Sequence, residues 1–355
     1  MTLLLLAVAA AFITGTVLPL FSHDHWGIRL FDFPRLQLSI GIGLTLVGFV
    51  VVEPTSPTEY GTMVLLGACL VYQVDHVLSY TVLSPHQVKW ADAPDEETEH
   101  ISFLIANVEI ENRSPEPLLD LVEENDPDVV LAIETDEWWM EQLQSLEEVY
   151  SHTVRHPREN AYGMCLYSKY PLVAPDVRFL VEEDVPSIHT KTVLPSGTRV
   201  WFHGMHPRPP HPYHEPDTTE RDAELLLLAR EIQDRNALTI VGGDLNDVSW
   251  SYTTRLFQNI SGLLDPRIGR GLYSTFHARY PLLRYPLDHV FHSEHFALSR
   301  LKVLPYIGSD HFPVYVELQH HSVLKTLQDE PEADDQDEAQ AQHELEKLEE
   351  KRDSG

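Results

Sequence analysis

Cysteine is nearly absent from the chain. Two residues in 355, Cys69 and Cys165, exclude a disulfide framework and a cysteine-rich zinc knuckle. Both lie in apolar surroundings and read as inert core residues. Basic side chains are scarce as well: 25 Lys and Arg stand against 55 Asp and Glu, a net charge of −30. Residues 91–318 alone hold 38 acids and 18 bases. Proteins that grip nucleic acid usually carry a basic patch, because phosphate neutralisation dominates affinity. A nucleic-acid partner is therefore disfavoured, although a local basic groove is compatible with the balance. No solenoid-length repeat, Gly-x-Ser-x-Gly elbow or Walker-type string occurs.

Long apolar runs are present, all near the N-terminus. Thr2–Phe21 carries no charge; Leu36–Val52 is a second uncharged run of 17 residues; Gly61–Leu83 is a third, interrupted by Gln73, Asp75 and His76. A span needs roughly 20 apolar residues, with about 17 tolerated. The runs predict three membrane spans, near 2–22, 36–52 and 61–83, in an anchor covering 1–85. A cleaved signal peptide is the alternative for the first run, but no basic n-region precedes it and two more runs follow. A buried helical pair is the alternative for the others. Asp75 and His76 would be costly inside lipid and are expected at the boundary or within the small bundle. The expected location is the cell membrane, multi-pass. Arg29 and Arg35 in the first loop and Lys89 after the third run place the following body in the cytoplasm by the positive-inside rule. Three residues carry that bias, and both sides stay open.

Residues 86–100 read as an acidic linker around Pro94. From 101 to 318 strands alternate with helices. Strands are expected at Ile101–Val108, Asp128–Ile133, Tyr162–Ser168, Ser187–Leu194, Arg199–His206, from Thr239, and at Leu287–His292, Ala297–Leu304 and Phe312–Leu318. Helices are expected at Pro115–Asn125, Glu137–Leu146 and Thr218–Arg235. Pro207–Pro212 is a stiff proline loop. Mixed elements with hairpin-length gaps predict a layered α/β fold rather than a doubly wound one. Residues 319–355 carry twelve acids and four bases; such a tail is expected to stay disordered, with at most a transient solvated helix over 338–352.

The stretch Thr239-Ile240-Val241-Gly242-Gly243-Asp244-Leu245-Asn246-Asp247 is a buried strand that runs into two glycines, a carboxylate and a carboxamide. The glycines are expected to let the backbone turn and a ligand approach. On a strand Asp244 and Asn246 would share one face. A Gly/Asp/Asn turn reads the same way. What favours chemistry is company: Asn107, Glu134 and His206 end other strands, Asp288-His289 opens one, and Asp310-His311 lies in Gly308-Ser309-Asp310-His311-Phe312-Pro313. Each alone has a plain capping or edge reading. Together every one falls where a strand meets a loop.

In this order the Gly-Asp-Leu-Asn, Leu-Asp-His-Val-Phe and Gly-Ser-Asp-His-Phe-Pro strings resemble the endonuclease/exonuclease/phosphatase superfamily, which includes DNase I, apurinic endonucleases, inositol-polyphosphate 5-phosphatases and neutral sphingomyelinases. The resemblance covers about Ile101 to Leu318. It implies an α/β (α+β) four-layer sandwich, DNase I-like, with two central mixed β-sheets flanked by helices. It implies a Mg²⁺ cofactor, with Mn²⁺ as a substitute, held by Glu134 with Asn107 and Asp310. Asp244 resembles the aspartate that orients or deprotonates the attacking water. Asn246 resembles the donor to a phosphoryl oxygen. His311 resembles the histidine at the scissile phosphate, with Asp288 as its partner, and His206 resembles a second phosphate-binding histidine.

The expected activity is hydrolysis of a phosphate ester or diester by in-line attack of water. A membrane-tethered enzyme acting on a lipid-linked or small phosphate ester, with the lipid bilayer as partner, is the first reading. A metal-dependent endo- or exonuclease is the second. A non-catalytic membrane scaffold would need a missing site residue, and none is missing.

Overall fold

The computed structural model describes residues 1–20, 25–91, 99–209, 217–320 and 328–354. Most of the acidic linker, residues 92–98, and the proline loop beyond Pro209 lie outside the described residues. The chain forms two compact units: Met1–Pro85 with Asp217 and Thr218, and His86–Pro209 with the chain from Thr219 onward.

The first unit is built on three long helices, α1 (Thr2–Val17), α3 (Arg35–Val52) and α4 (Pro57–Leu78), with a short α2 (Trp26–Arg29) before α3. With Leu18–Leu20 added to α1, the three run 19, 18 and 22 residues and are long and apolar enough to cross a membrane. Leu3, Leu44, Val47, Val51, Val64 and Val71 are exposed, while Ala9, Ile42, Phe49, Leu66 and Cys69 are buried between helices. Helices that are apolar on both faces suit a lipid surround. Buried polar groups satisfy one another: Gln73 Nε2 donates to Thr16 Oγ1 (3.0 Å), and Arg35 donates to Gln73 Oε1 (3.2 Å) and to Asp32 (2.5 Å).

The third helix departs from the expected 61–83 at both ends. Ser56 and Glu59 form a capping box with Pro57 at the first helical position, so the helix starts before the apolar run does. It ends at Leu78, and residues 79–84 are turns and bends. Asp75 and His76 fall in its last turn.

The second unit contains β1 (Glu99–Asn107), β2 (Val129–Ile133), β3 (His152–His156), β4 (Met164–Ser168), β5 (Leu172–Arg178), β6 (Ser187–Val193), β7 (Arg199–Met205), β8 (Thr239–Asp244), β9 (Asp288–His292), β10 (Phe296–Val303) and β11 (Val314–His320). They make a six-stranded sheet in the order β10-β11-β1-β2-β4-β3 and a five-stranded sheet in the order β5-β6-β7-β8-β9. Pairs β1/β2 and β7/β8 are parallel, and the other neighbours are antiparallel.

Alternation along the strands builds the layers. Ile101, Phe103 and Ile105 of β1 face Ile188, Phe202, Ile240 and Val290 of the other sheet. Leu104 and Ala106 face the other way, onto α5 (Glu116–Asn125) and α6 (Glu137–Gln142) through Leu118, Val122 and Trp139. The second sheet is covered by α7 (Thr219–Arg235) and α8 (Tyr252–Ser261) through Leu225, Ala229, Phe257 and Ile260. Helix, sheet, sheet and helix stack as four layers, as the resemblance implies. A Cβ on Gly242 would lie 2.5 Å from Ile105 Cδ1, so glycine there lets the sheets approach. A Cβ on Gly243 would lie 1.9 Å from the Met205 carbonyl oxygen. These glycines serve strand and sheet packing: β8 runs through both and ends at Asp244, and the turn follows it.

Three elements of the second unit have no counterpart in the sequence expectation. β3 is largely polar and half-exposed. β5 is an exposed edge strand, with Pro175 beside an irregularity between Val173 and Asp176. α8 starts at a Ser251 cap, whose side chain accepts from Thr254 N. The expected disordered tail needs correcting. Residues Asp335–Ser354 form α9, with Ala341 and Leu348 buried and Leu345 packed beside α7 and α8. These three apolar residues recur at helical spacing within an acidic sequence, and the stripe is enough to dock the helix.

Candidate active site

The parallel pairs bring strand ends together. Asn107 pairs with Ile133 in register, and Met205 with Gly243, so Asn107, Glu134, His206 and Asp244 emerge at the C-terminal ends of β1, β2, β7 and β8. Antiparallel β9 starts at the same level, with Asp288 opposite Asp244.

Asn107 is the hinge of the cluster. Its Nδ2 donates to Glu134 Oε1 (2.9 Å) and Asp244 Oδ2 (3.1 Å), and its Oδ1 accepts from Glu109 N (3.0 Å). Glu134 has φ +65° and accepts from Ile110 N at 3.3 Å. Burial, reinforced by the Asp244 charge and opposed by the Asn107 hydrogen bond, pushes its carboxyl up to about 7. Asp244 is 1% exposed. His311 stands between two carboxylates, with Nδ1 2.7 Å from Asp288 Oδ2 and Nε2 3.4 Å from Asp244 Oδ2. Burial pulls its pKa down, but Asp288 and Asp244 outweigh burial and lift it to about 10.

His206 is buried too, with Nε2 3.9 Å from Asp244 Oδ2 and 4.0 Å from Glu134 Oε1. Burial wins over the Asp244 charge, and its pKa falls to about 4. The two histidines therefore differ: His311 is the cation and His206 is neutral. Asn246 does not share a strand face with Asp244. It follows the strand end at φ +51°, with its N donating to Asp244 Oδ1 (2.9 Å) and its Nδ2 to Pro207 O (3.0 Å). Asp310 adjoins the site through its backbone, whose N donates to Glu109 Oε2 (3.1 Å) and whose O accepts from Ala278 N (2.6 Å). Burial raises its carboxyl.

The side-chain atoms that best converge as a metal cluster are those of Asp244, Asp288 and His311, all within 4.8 Å of one another. That set differs from the expected Glu134, Asn107 and Asp310. The carboxylates on either side of His311 favour its protonated form, and an imidazolium has no lone pair to offer an ion. A divalent cation fits the Glu134 side better. There a buried carboxylate with a raised pKa faces the Asp244 carboxylate, and only an amide N–H lies between them.

Several supporting residues left no mark in the sequence pattern. Arg221, from the first turn of α7, donates to Asn246 O (2.8 Å) and to Asp222. Arg267 donates to Asp288 O (3.2 Å), to Asp265 and to His289 Nδ1 (2.7 Å). His289 itself turns away from the site, its Nε2 on Asp247 O (2.9 Å). Tyr162 packs against the His206 ring, and Arg208 lies over Tyr162.

The Endonuclease/Exonuclease/phosphatase family matches the chain over residues 104–311. The chain belongs to this family. Its members are divalent-metal-dependent enzymes, and this chain, as one of the family, is a hydrolase of phosphoester bonds. Among curated proteins none matches the chain in sequence. Solved structures do. D. rerio TDP2 complexed with single-strand DNA product matches with a TM-score of 0.53 at 14% identity, covering 62% of this chain and 99% of that one. Humanized D. rerio TDP2 matches at 0.51 and 13%, covering 62% and 98%. A family protein from Bacteroides thetaiotaomicron matches at 0.50 and 18%, covering 63% and 99%. At these identities the likeness establishes the fold.

Proposed function

We propose that the chain is a membrane-anchored, Mg²⁺-dependent phosphoesterase that hydrolyses a lipid-linked or small phosphate ester or diester by in-line attack of water. The observation that carries this reading is the His311 imidazolium clamped between Asp288 and Asp244, beside the Glu134–Asn107 pair. That is a cation and a carboxylate pair at one strand-end mouth.

Glu134, Asn107 and Asp310 would hold Mg²⁺, or Mn²⁺ in its place, through oxygen atoms; the Asn107 amide offers Oδ1 by rotating its plane. Bound there, the ion would supply Lewis-acid charge to the phosphoryl and leaving oxygens. Asp244 orients the attacking water and takes its proton on a carboxylate oxygen. Asn246 keeps one Nδ2 hydrogen on Pro207 O and has the second for a phosphoryl oxygen. His311, protonated through its Asp288 partner, offers Nε2–H to the developing charge. Neutral His206 offers a hydrogen bond to the phosphate rather than a second positive charge.

Three helices of spanning length support an anchor over 1–85 in the cell membrane, and Arg29, Arg35 and Lys89 favour a cytoplasmic body. A nuclease is the second reading, favoured by the fold shared with D. rerio TDP2 in its DNA-product complex. The acidic balance of residues 91–318 weighs against it.

The test is a substrate panel on the full-length protein in detergent with Mg²⁺. It comprises bis-p-nitrophenyl phosphate, p-nitrophenyl phosphate, a lipid pyrophosphate, a sphingomyelin-type diester and supercoiled plasmid. EDTA-sensitive hydrolysis of a lipid or small ester is expected. Plasmid nicking alone would replace the first reading by the second, and no turnover of any substrate would overturn both.

A further inference from the structure

Beside the clamped histidine, the segment Arg279-Tyr280-Pro281-Leu282-Leu283-Arg284 carries an apolar tip. A single 3-10 turn, Pro281–Leu283, forms its apex. Leu282 is 83% exposed, Tyr280 57% and Leu283 52%. Exposed Tyr306 adjoins them, its Oη 3.4 Å from Arg279 Nε. Single exposed apolar side chains are ordinary, but several on one short loop mark an interaction surface.

The tip is mounted on the site. The Phe276 ring packs on the His311 ring with centroids 4.9 Å apart, and Ala278 N donates to Asp310 O (2.6 Å). Arg279 Nη1 donates to Glu109 Oε1 (3.0 Å), and Glu109 Oε2 accepts from Asp310 N (3.1 Å). The backbone that positions His311 therefore also positions the tip.

Charge around the tip departs from the rest of the body. The segment 279–284 carries two arginines and no carboxylate. Arg279 is neutralised by Glu109. Arg284 has no carboxylate partner among the described residues; it lies over the Phe312 ring (4.8 Å) and donates to Ala278 O (3.1 Å). Aliphatic side chains at the apex, tyrosines at its flank and, at its base, a half-buried cation that no carboxylate neutralises among the described residues match the layers of a membrane interface: hydrocarbon, headgroup boundary and lipid phosphate. A bilayer is also the surface this chain meets by its own sequence, since three spanning-length helices precede the body.

We propose that Arg279–Arg284 dips into the phospholipid interface, with Leu282 and Leu283 in the hydrocarbon edge. The mouth of the site is then held at headgroup level and presented to phosphate esters embedded there. The insertion stands on the exposed surface alone; the presentation of substrate rests on the phosphoesterase reading.

The experiment uses the full-length protein in phosphatidylcholine/phosphatidylglycerol nanodiscs, with a nitroxide on Leu282→Cys or, as a second variant, Leu283→Cys. The native Cys69 and Cys165 are buried and do not compete for label. The label is expected to be more accessible to oxygen than to a polar nickel chelate, with the reverse for a label on Glu123→Cys on α5. A label at both tip positions as water-accessible as the α5 control overturns the insertion. So does a label shielded from both reagents, which would mean a protein covers the tip. In activity, Leu282→Asp should leave turnover of a soluble p-nitrophenyl ester unchanged and raise KM for a lipid phosphate ester in vesicles about tenfold, the loss of about 1.4 kcal/mol of apolar anchoring. Equal losses on both substrates overturn the presentation of substrate. If no ester is turned over, the phosphoesterase reading fails while the nitroxide depth still decides the tip.

Discussion

His311 and Asp288 form a buried ion pair, Nδ1 to Oδ2 at 2.7 Å, and the second carboxylate, Asp244, lies 3.4 Å from the opposite nitrogen. The pairing decides which histidine of the site carries charge, since His206, buried without such a partner on its Nδ1, is held neutral.

Asp288→Asn should bring the His311 titration down from about 10 toward the ordinary 6.5. The folded pKa lies above the unfolded one. The pair's stabilisation is therefore full below about 6.5 and is lost as pH rises through about 10. The wild type should exceed the variant by about 3–5 kcal/mol at neutral pH, the usual cost of breaking a buried pair, and the gap should close in strong alkali. Histidine NMR titration and urea melts at pH 6, 8 and 10 check both parts. An unmoved titration would break the assignment of the cation to His311.

Glu134 supplies a test of the metal that does not depend on turnover. Its carboxyl is raised to about 7 from 4.5, so without a cation its ionisation is unfavourable to the fold, and stability falls as pH rises from about 4.5 through 7. Mg²⁺ should relieve that cost. Thermal melts are expected to rise with Mg²⁺ at pH 8, to rise less at pH 5, and to be flat in Glu134→Gln at either pH. A Mg²⁺ shift that survives Glu134→Gln would move the ion to another set of ligands. In activity, Glu134→Ala and Asp244→Ala should each lose about 10²-fold or more, with unchanged circular dichroism.

Asn246 separates a backbone role from a side-chain role. At φ +51° a residue with a Cβ bears a left-handed cost that glycine escapes, about 1–2 kcal/mol. Asn246→Gly should keep stability while losing the Nδ2 donor, and Asn246→Ala should lose both. Equal drops in kcat with unequal melting temperatures are expected. A kcat retained in either variant would remove Asn246 from the phosphate site.

How much of this was legible in the sequence depends on where each residue falls. Asn107, Glu134, His206 and Asp244 could be read because each ends an apolar run, and a strand end is visible in composition. Asp288 and His311 could be read from their flanking strings. Arg221 and Arg267 could not, since a buried arginine on the first turn of α7 or in the turn after α8 looks like any charged residue there until its partner, Asn246 O or Asp288 O, is placed 25 or 21 residues away. The neutrality of His206 was equally hidden, because burial is a property of the packed sandwich. β3 and β5 escaped notice because they are half-exposed and polar, and so lack the apolar run that betrayed the central strands.

The C-terminal helix α9 was hidden by charge. Residues 319–355 carry twelve acids and four bases, and composition of that kind predicts solvation. Three apolar residues override it. Ala341, Leu345 and Leu348 recur at intervals of four and three, on one helical face; Ala341 and Leu345 join the core of α7 and α8, and Leu348 is buried. Burying one leucine is worth about 1.5–3 kcal/mol, enough to hold a helix whose acidic face stays in water. Leu348→Asp should therefore release α9, lowering the melting temperature and opening a protease site between 335 and 354. Glu349→Ala, one residue along on the exposed face, should do neither. Limited proteolysis followed by mass spectrometry distinguishes them, and identical digestion of both variants and the wild type would return this segment to the disordered tail that its composition suggests.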